Sequence, residues 1–137
     1  MRKIKKLREI KVKIHKKITT KMNMKNTVAL KENRIFRSLY GGKSKVTPEF
    51  VLYYKKNKLT FNRLGITVSK KIGHAVERNR AKRVLREAYR LCEERIKVGF
   101  DIVLVARSRT KEVSMNVVKE KMENIFSAED LFAEFEK

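Results

Sequence analysis

Residues 64–90, LGITVSKKIGHAVERNRAKRVLREAYR, pass from a strand-like alternation through a turn into a helix, and the order of these three pieces decides the fold. Leu64, Ile66 and Val68 recur at every second position, the period of a pleated strand. Gly73 lets the chain turn tightly. From about Ala75 to Lys97 the spacing becomes helical, with Ala81, Val84, Leu85, Ala88, Leu91 and Cys92 inside an arc of about 120°, a core-facing stripe. The helix should stop before Gly99, after which FDIVLVARS reads as a buried strand. Strand, helix and strand in that order make a crossover unit.

Working outward, a short helix is predicted from Asn33, with Asn33 as N-cap and Ile35, Phe36, Leu39 and Tyr40 as two apolar i,i+4 pairs. Gly41-Gly42 stops it. After Pro48, EFVLYY sets Phe50, Leu52 and Tyr54 on one face and Val51 and Tyr53 on the other. With KKNK (55–58) as a turn and LTFNRLGITVSKK as further strand, the middle of the chain is expected to be a basic antiparallel sheet. Ser114 caps a last helix with Val118, Met122, Ile125 and Phe126 facing the core, which the acidic SAEDLFAEFEK continues or frays. The element order is helix, about three strands, helix, strand, helix.

The chain of 137 residues suits one domain with a modest core. Its 36 Lys and Arg against 15 Asp and Glu give a net charge of +21 and call for a polyanionic partner. The charge is uneven: residues 1–90 carry 28 bases and 5 acids, the remainder 8 and 10. Residues 1–23 alone hold ten bases and one acid without an aromatic, and are expected to be a disordered basic extension, a short strand in EIKVKI being the alternative. Met24 reads as a second beginning, which leaves open whether 1–23 belong to the natural protein. No apolar run of roughly 18 residues and no signal-peptide core occur, so a cytoplasmic location is expected. Cys92, His15 and His74 offer no metal-ligand spacing.

On the central helix, Asn79, Arg83, Arg86 and Arg90 lie within roughly 60° of one another, opposite the apolar stripe. Only Glu77 and Glu87 offer compensation there, so the repulsion is tolerated for a partner's sake. Arginine's planar fork matches phosphate. Lys70, Lys71 and the first helical N–H groups should add an anion site at the start of this helix. Phe36, Tyr40 and Tyr53 are candidates for stacking on unpaired bases, Phe36 reading equally well as a core residue, and His74 is an exposed turn residue. Neither G-x-x-x-x-G-K-[ST] nor G-x-S-x-G occurs, and beyond the extension 1–23 the basic region offers only the scattered Glu32, Glu49, Glu77 and Glu87 as carboxylates. No catalytic or metal-binding constellation is predicted.

With Arg78-Asn79-Arg80 followed by Lys82, Arg83 and Arg86, the stretch resembles the signature region of the bacterial ribonuclease P protein subunit, and the likeness extends from about Met24 to Phe126 through LKENRIF, FVLYY and IVLVAR. The resemblance implies an α+β fold, an αβββαβα two-layer sandwich similar to a ribosomal-protein domain, filling 24–137, with a βαβ crossover of the uncommon left-handed kind. It also implies a cofactor of a catalytic RNA that removes the 5′ leader of precursor tRNA, with Mg2+ held mainly by the RNA. Carried over by position, Arg78, Asn79, Arg80, Lys82, Arg83 and Arg86 face the catalytic RNA, Phe36, Tyr40 and Tyr53 contact the leader, and Ser69, Lys70 and Lys71 line the neighbouring strand end. No membrane and no stable protein partner is implied. The competing expectation is a ribosomal or other structural RNA-binding protein, which would use the same phosphate contacts without a leader cleft.

Overall fold

A computed structural model describes residues 24–133. The expected extension 1–23 lies outside the described residues. In chain order the elements are β1 (Thr27–Ala29), α1 (Asn33–Tyr40), β2 (Lys43–Val46), β3 (Phe50–Lys56), β4 (Asn62–Thr67), α2 (Ala75–Cys92), β5 (Phe100–Ala106) and α3 (Met115–Ala128). The helix-strand order expected from the sequence is present, preceded by the short β1. One five-stranded sheet runs β1-β4-β5-β3-β2.

The crossover forms as read: β4 pairs with β5 in parallel, Leu64 beside Ile102, and α2 connects them. The expectation of an antiparallel sheet through the middle of the chain holds for β2 with β3 but is corrected for β3 and β4, which do not pair. β5 stands between β3 and β4, antiparallel to the first and parallel to the second. Its near-continuous apolar run, buried on both faces, belongs in the centre of a sheet. β1 and β2 have no readable period. Every residue of β2 is exposed, and the strand exists through its ladder to β3.

The two sheet faces carry different cores. Phe50, Leu52, Tyr54, Leu64, Ile102 and Leu104 pack under α2 and α3. On the other face, Val103 packs with Leu30 and Leu39, flanked by Ile35, Phe36, Tyr53 and Val105. The eight-residue α1 covers only part of that face, so a groove is left open beside it.

Three boundaries differ from expectation. Asn33 is the first residue of α1 rather than its cap, which falls on Glu32. α2 ends at Cys92 rather than near Lys97 and tightens into a 3-10 turn at Glu93–Arg95. There the buried Glu93 accepts hydrogen bonds from the Lys25 N–H at 2.5 Å and the Thr27 hydroxyl at 2.9 Å, tying the start of β1 to the helix end. The acidic segment that begins at Ser127 carries α3 only as far as Ala128. After Ala128 the chain turns back, buries Leu131 and bridges Phe132 to Ile96, with the Arg95 guanidinium 4.2 Å over the Phe132 ring.

The buried stripe of α2 is also rotated from its expected position: Leu91 is 43% exposed, and the fully buried Tyr89 takes its place. The Tyr89 hydroxyl lies 3.0 Å from Thr27 Oγ1 and its ring meets Phe126 edge-on. A phenol with both a partner and an aromatic neighbour is well accommodated in a core. Burial pushes its pKa far above the usual phenol range.

Candidate nucleic-acid interface

Turning the apolar stripe of α2 toward the sheet sends the opposite face into solvent. Asn79, Arg80, Lys82, Arg83 and Arg86 are exposed and Arg78 is half-buried at the edge of the stripe. Among the described residues, Arg78, Lys82, Arg83 and Arg86 have no ion-pair partner, nor do Lys70 and Lys71. Arg90 differs from the rest of its row. Its Nε and Nη2 donate to both oxygens of Glu87, at 2.9 and 2.5 Å, so its fork is already satisfied within the helix. That pair also holds the Glu87 carboxyl below the usual carboxylate range. Both acids of α2 are thus engaged by the chain itself, since Glu77 lies 2.5 Å from Lys111 Nζ.

The start of α2 is built more tightly than expected. β4 ends at Thr67, the exposed Ser69 precedes a 3-10 turn at Lys70–Ile72, and Gly73 takes a φ of 147° that disfavours any side chain. His74 stands at the N-cap position, exposed, and its backbone N–H donates to Glu77 Oε1 at 3.5 Å. A carboxylate of the chain therefore occupies part of the anion site expected at this turn. Lys70 and Lys71 flank it from outside, both exposed.

On the other face of the sheet, Phe36, Tyr40 and Tyr53 come together beside α1. Tyr40 meets Tyr53 edge-on, with ring centroids 5.0 Å apart, a favourable aromatic geometry. The Tyr40 hydroxyl lies 3.3 Å from Thr67 Oγ1 on β4, and Tyr40 remains 43% exposed. Phe36 is half-buried: it belongs to the second core at one edge and to the groove at the other. Asn33, Arg37 and Thr67 complete the groove wall.

The cleft and the cationic helix are contiguous along the chain, because residues 68–74 alone separate Thr67 from the first residue of α2. Thr67, Arg37 and Gly65 are absent from the residues predicted for the site. Gly65 had a readable signal, since an isolated glycine within a strand pattern marks a close approach; here the approaching group is the Phe36 ring. Thr67 and Arg37 carried none. Among the described residues no three His, Cys, Asp or Glu side chains gather as a metal site, and no helix is long and apolar enough to cross a membrane.

A family model described as Ribonuclease P matches residues 24–129. A ribonuclease P protein component from a Thermoanaerobacter species is 41% identical over 111 residues, covering 80% of this chain and 96% of its own. The component from Clostridioides difficile is 40% identical over 112 residues, covering 80% and 98%. Among solved structures, the Staphylococcus aureus RNase P protein superposes with a TM-score of 0.67 at 34% identity, covering 77% of this chain and 97% of its own. The Thermotoga maritima RNase P protein gives 0.64 at 37% identity, covering 71% and 93%.

Proposed function

Because the chain belongs to the ribonuclease P protein family, we propose that its cationic helix and its aromatic cleft serve two different parts of one RNA-cleaving assembly. The chain is the protein subunit of a ribonucleoprotein endoribonuclease that processes the 5′ leader of transfer RNA. In this reading the α2 face, with Arg78, Asn79, Arg80, Lys82, Arg83 and Arg86, binds the catalytic RNA. Lys70 and Lys71 extend that face, and the cleft of Phe36, Tyr40 and Tyr53, with Ser69 at its end, receives the unpaired leader of precursor tRNA.

The observation that carries the reading is the position of Tyr40. Its ring is braced by Tyr53 and tethered to Thr67, yet it keeps a large exposed surface in the groove. Such a ring is preorganised for stacking on a base, and a leader is the part of precursor tRNA whose bases are unpaired. Double-stranded regions cannot use it.

The division of labour also fits the chemistry. Magnesium, held mainly by the RNA, would activate water and stabilise the departing oxygen. This chain contributes positive charge and shape: it neutralises phosphates that the RNA must bring close together, and it holds the leader in line. Processing of this kind belongs in the cytoplasm.

The test is cleavage of precursor tRNA at low magnesium by the protein alone, by its RNA partner alone, and by both. The expected result is no cleavage by the protein and strong stimulation of the RNA. Metal-dependent cleavage by RNA-free protein, abolished by substitutions in the protein, would overturn the division.

A further inference from the structure

Lys111, in the 3-10 turn Ser108–Lys111 that follows β5, reaches across to the start of α2. Its ammonium donates to Glu77 Oε2 at 2.5 Å and to the Ile72 carbonyl at 2.6 Å. Its own carbonyl accepts a hydrogen bond from Arg80 Nε at 3.0 Å. Glu77 in turn accepts from the His74 N–H and lies over Gly73, where a Cβ would stand 2.6 Å from Oε2. Three separate segments, 70–74, the first turns of α2 and 108–111, are therefore joined by one lysine and one carboxylate.

From this geometry we infer that Lys111 and Glu77 are positioning residues for the RNA-facing end of α2. The inference rests on the α2 face being the surface that binds RNA. Neither residue needs to touch the RNA. With Nε held by the Lys111 carbonyl, Arg80 keeps its terminal nitrogens for an anion and loses much of the freedom it would otherwise surrender on binding. The pair also fixes the carbonyl end of the 70–72 turn and so the direction in which Lys70 and Lys71 leave the fold.

The inference separates sharply from simple charge. Glu77 is an acid within a cationic surface, so its removal as a mere charge should strengthen RNA binding. As a positioning group its removal should weaken it. The experiment measures affinity of the full chain for its RNA partner, together with melting temperature, for Glu77→Gln, Lys111→Met, Lys111→Arg, Arg83→Ala and, as a charge control at an exposed lysine of α3, Lys121→Met.

The expected result is a several-fold loss of affinity for Glu77→Gln and Lys111→Met, near-normal affinity for Lys111→Arg, whose guanidinium can reach both acceptors, and little change for Lys121→Met. A tighter or unchanged Glu77→Gln complex, with Lys111→Met no weaker than Lys121→Met, would overturn the positioning role. If Arg83→Ala loses affinity in that case, the RNA face stands without the clamp. If Arg83→Ala is also unaffected, the reading of the face fails with it. Lys111→Arg keeps the test decisive should Lys111→Met unfold, because a folded but weakly binding arginine variant would equally count against the geometry.

Discussion

Phe36 rests directly on Gly65: the ring edge of the helix residue occupies the space into which any side chain at the strand position would project. The contact sets how close α1 lies to the sheet, and with it the width of the groove in which Tyr40 is exposed.

Gly65→Ala should therefore destabilise the protein by ~1–3 kcal/mol, the usual cost of overpacking, and weaken precursor binding by displacing the ring. Combining it with Phe36→Leu should recover part of the stability, a coupling visible in a double-mutant cycle of denaturant midpoints. Strict additivity would mean that the two residues do not share the space.

Arg83→Ala and Arg86→Ala should each reduce the salt slope of RNA binding by about 0.7 to 0.9, the contribution of one phosphate contact. Arg90→Ala should change it less, because Glu87 already takes the Arg90 fork. Titration of binding against salt concentration checks both, and equal slopes for all three would place Arg90 on the RNA.

Tyr40→Ala should impair precursor tRNA more than mature tRNA, by up to ~1–3 kcal/mol if a base stacks fully on the ring. Tyr53→Ala should show the same preference through loss of the edge-on brace. Phe36→Ala should also lower the melting temperature, since its ring is part of the second core. Equal losses for precursor and mature tRNA in folded variants would remove the leader from the cleft.

Burial pushes the Cys92 thiol up to about 12, and its Sγ lies 3.5 Å from the Ala88 carbonyl within the helix. The native protein should resist alkylation at neutral pH and react promptly once denaturant unfolds it. Fast labelling of the native chain, followed by mass spectrometry, would contradict the packing of α2.

The hydrogen bond from Lys111, aided by the His74 N–H, lowers the Glu77 carboxyl below its usual range. A depressed carboxyl stabilises the fold fully above its unfolded value of about 4.3, and that contribution is lost as pH falls through the folded value. The melting temperature of the wild-type chain should exceed that of Glu77→Gln at pH 7, and the gap should close below about pH 4. A gap independent of pH would show that the charge on Glu77 contributes nothing.

The sequence by itself determined the parts governed by local periodicity. Most of the apolar stripe of α2, the alternation of β3 and the cationic row follow from residue spacing, because a helix or strand must bury one face wherever it lies. Arg83 and Arg86 were legible for the same reason: the side opposite a buried stripe is exposed.

What the tertiary structure alone decided are pairings between distant segments. Strand period does not say which strand lies beside which, so β5 enters between β3 and β4 without a local signal. The exchange of Leu91 for Tyr89 depends on Thr27 and Phe126, and the capture of Arg90 by Glu87 is one of several rotamer outcomes available at that spacing. Lys111 lies 34 residues from Glu77, and only the folded chain brings it there. Long-range neighbours of this kind are chosen by shape and by the need to satisfy buried or half-buried polar groups, which no stretch of sequence carries alone.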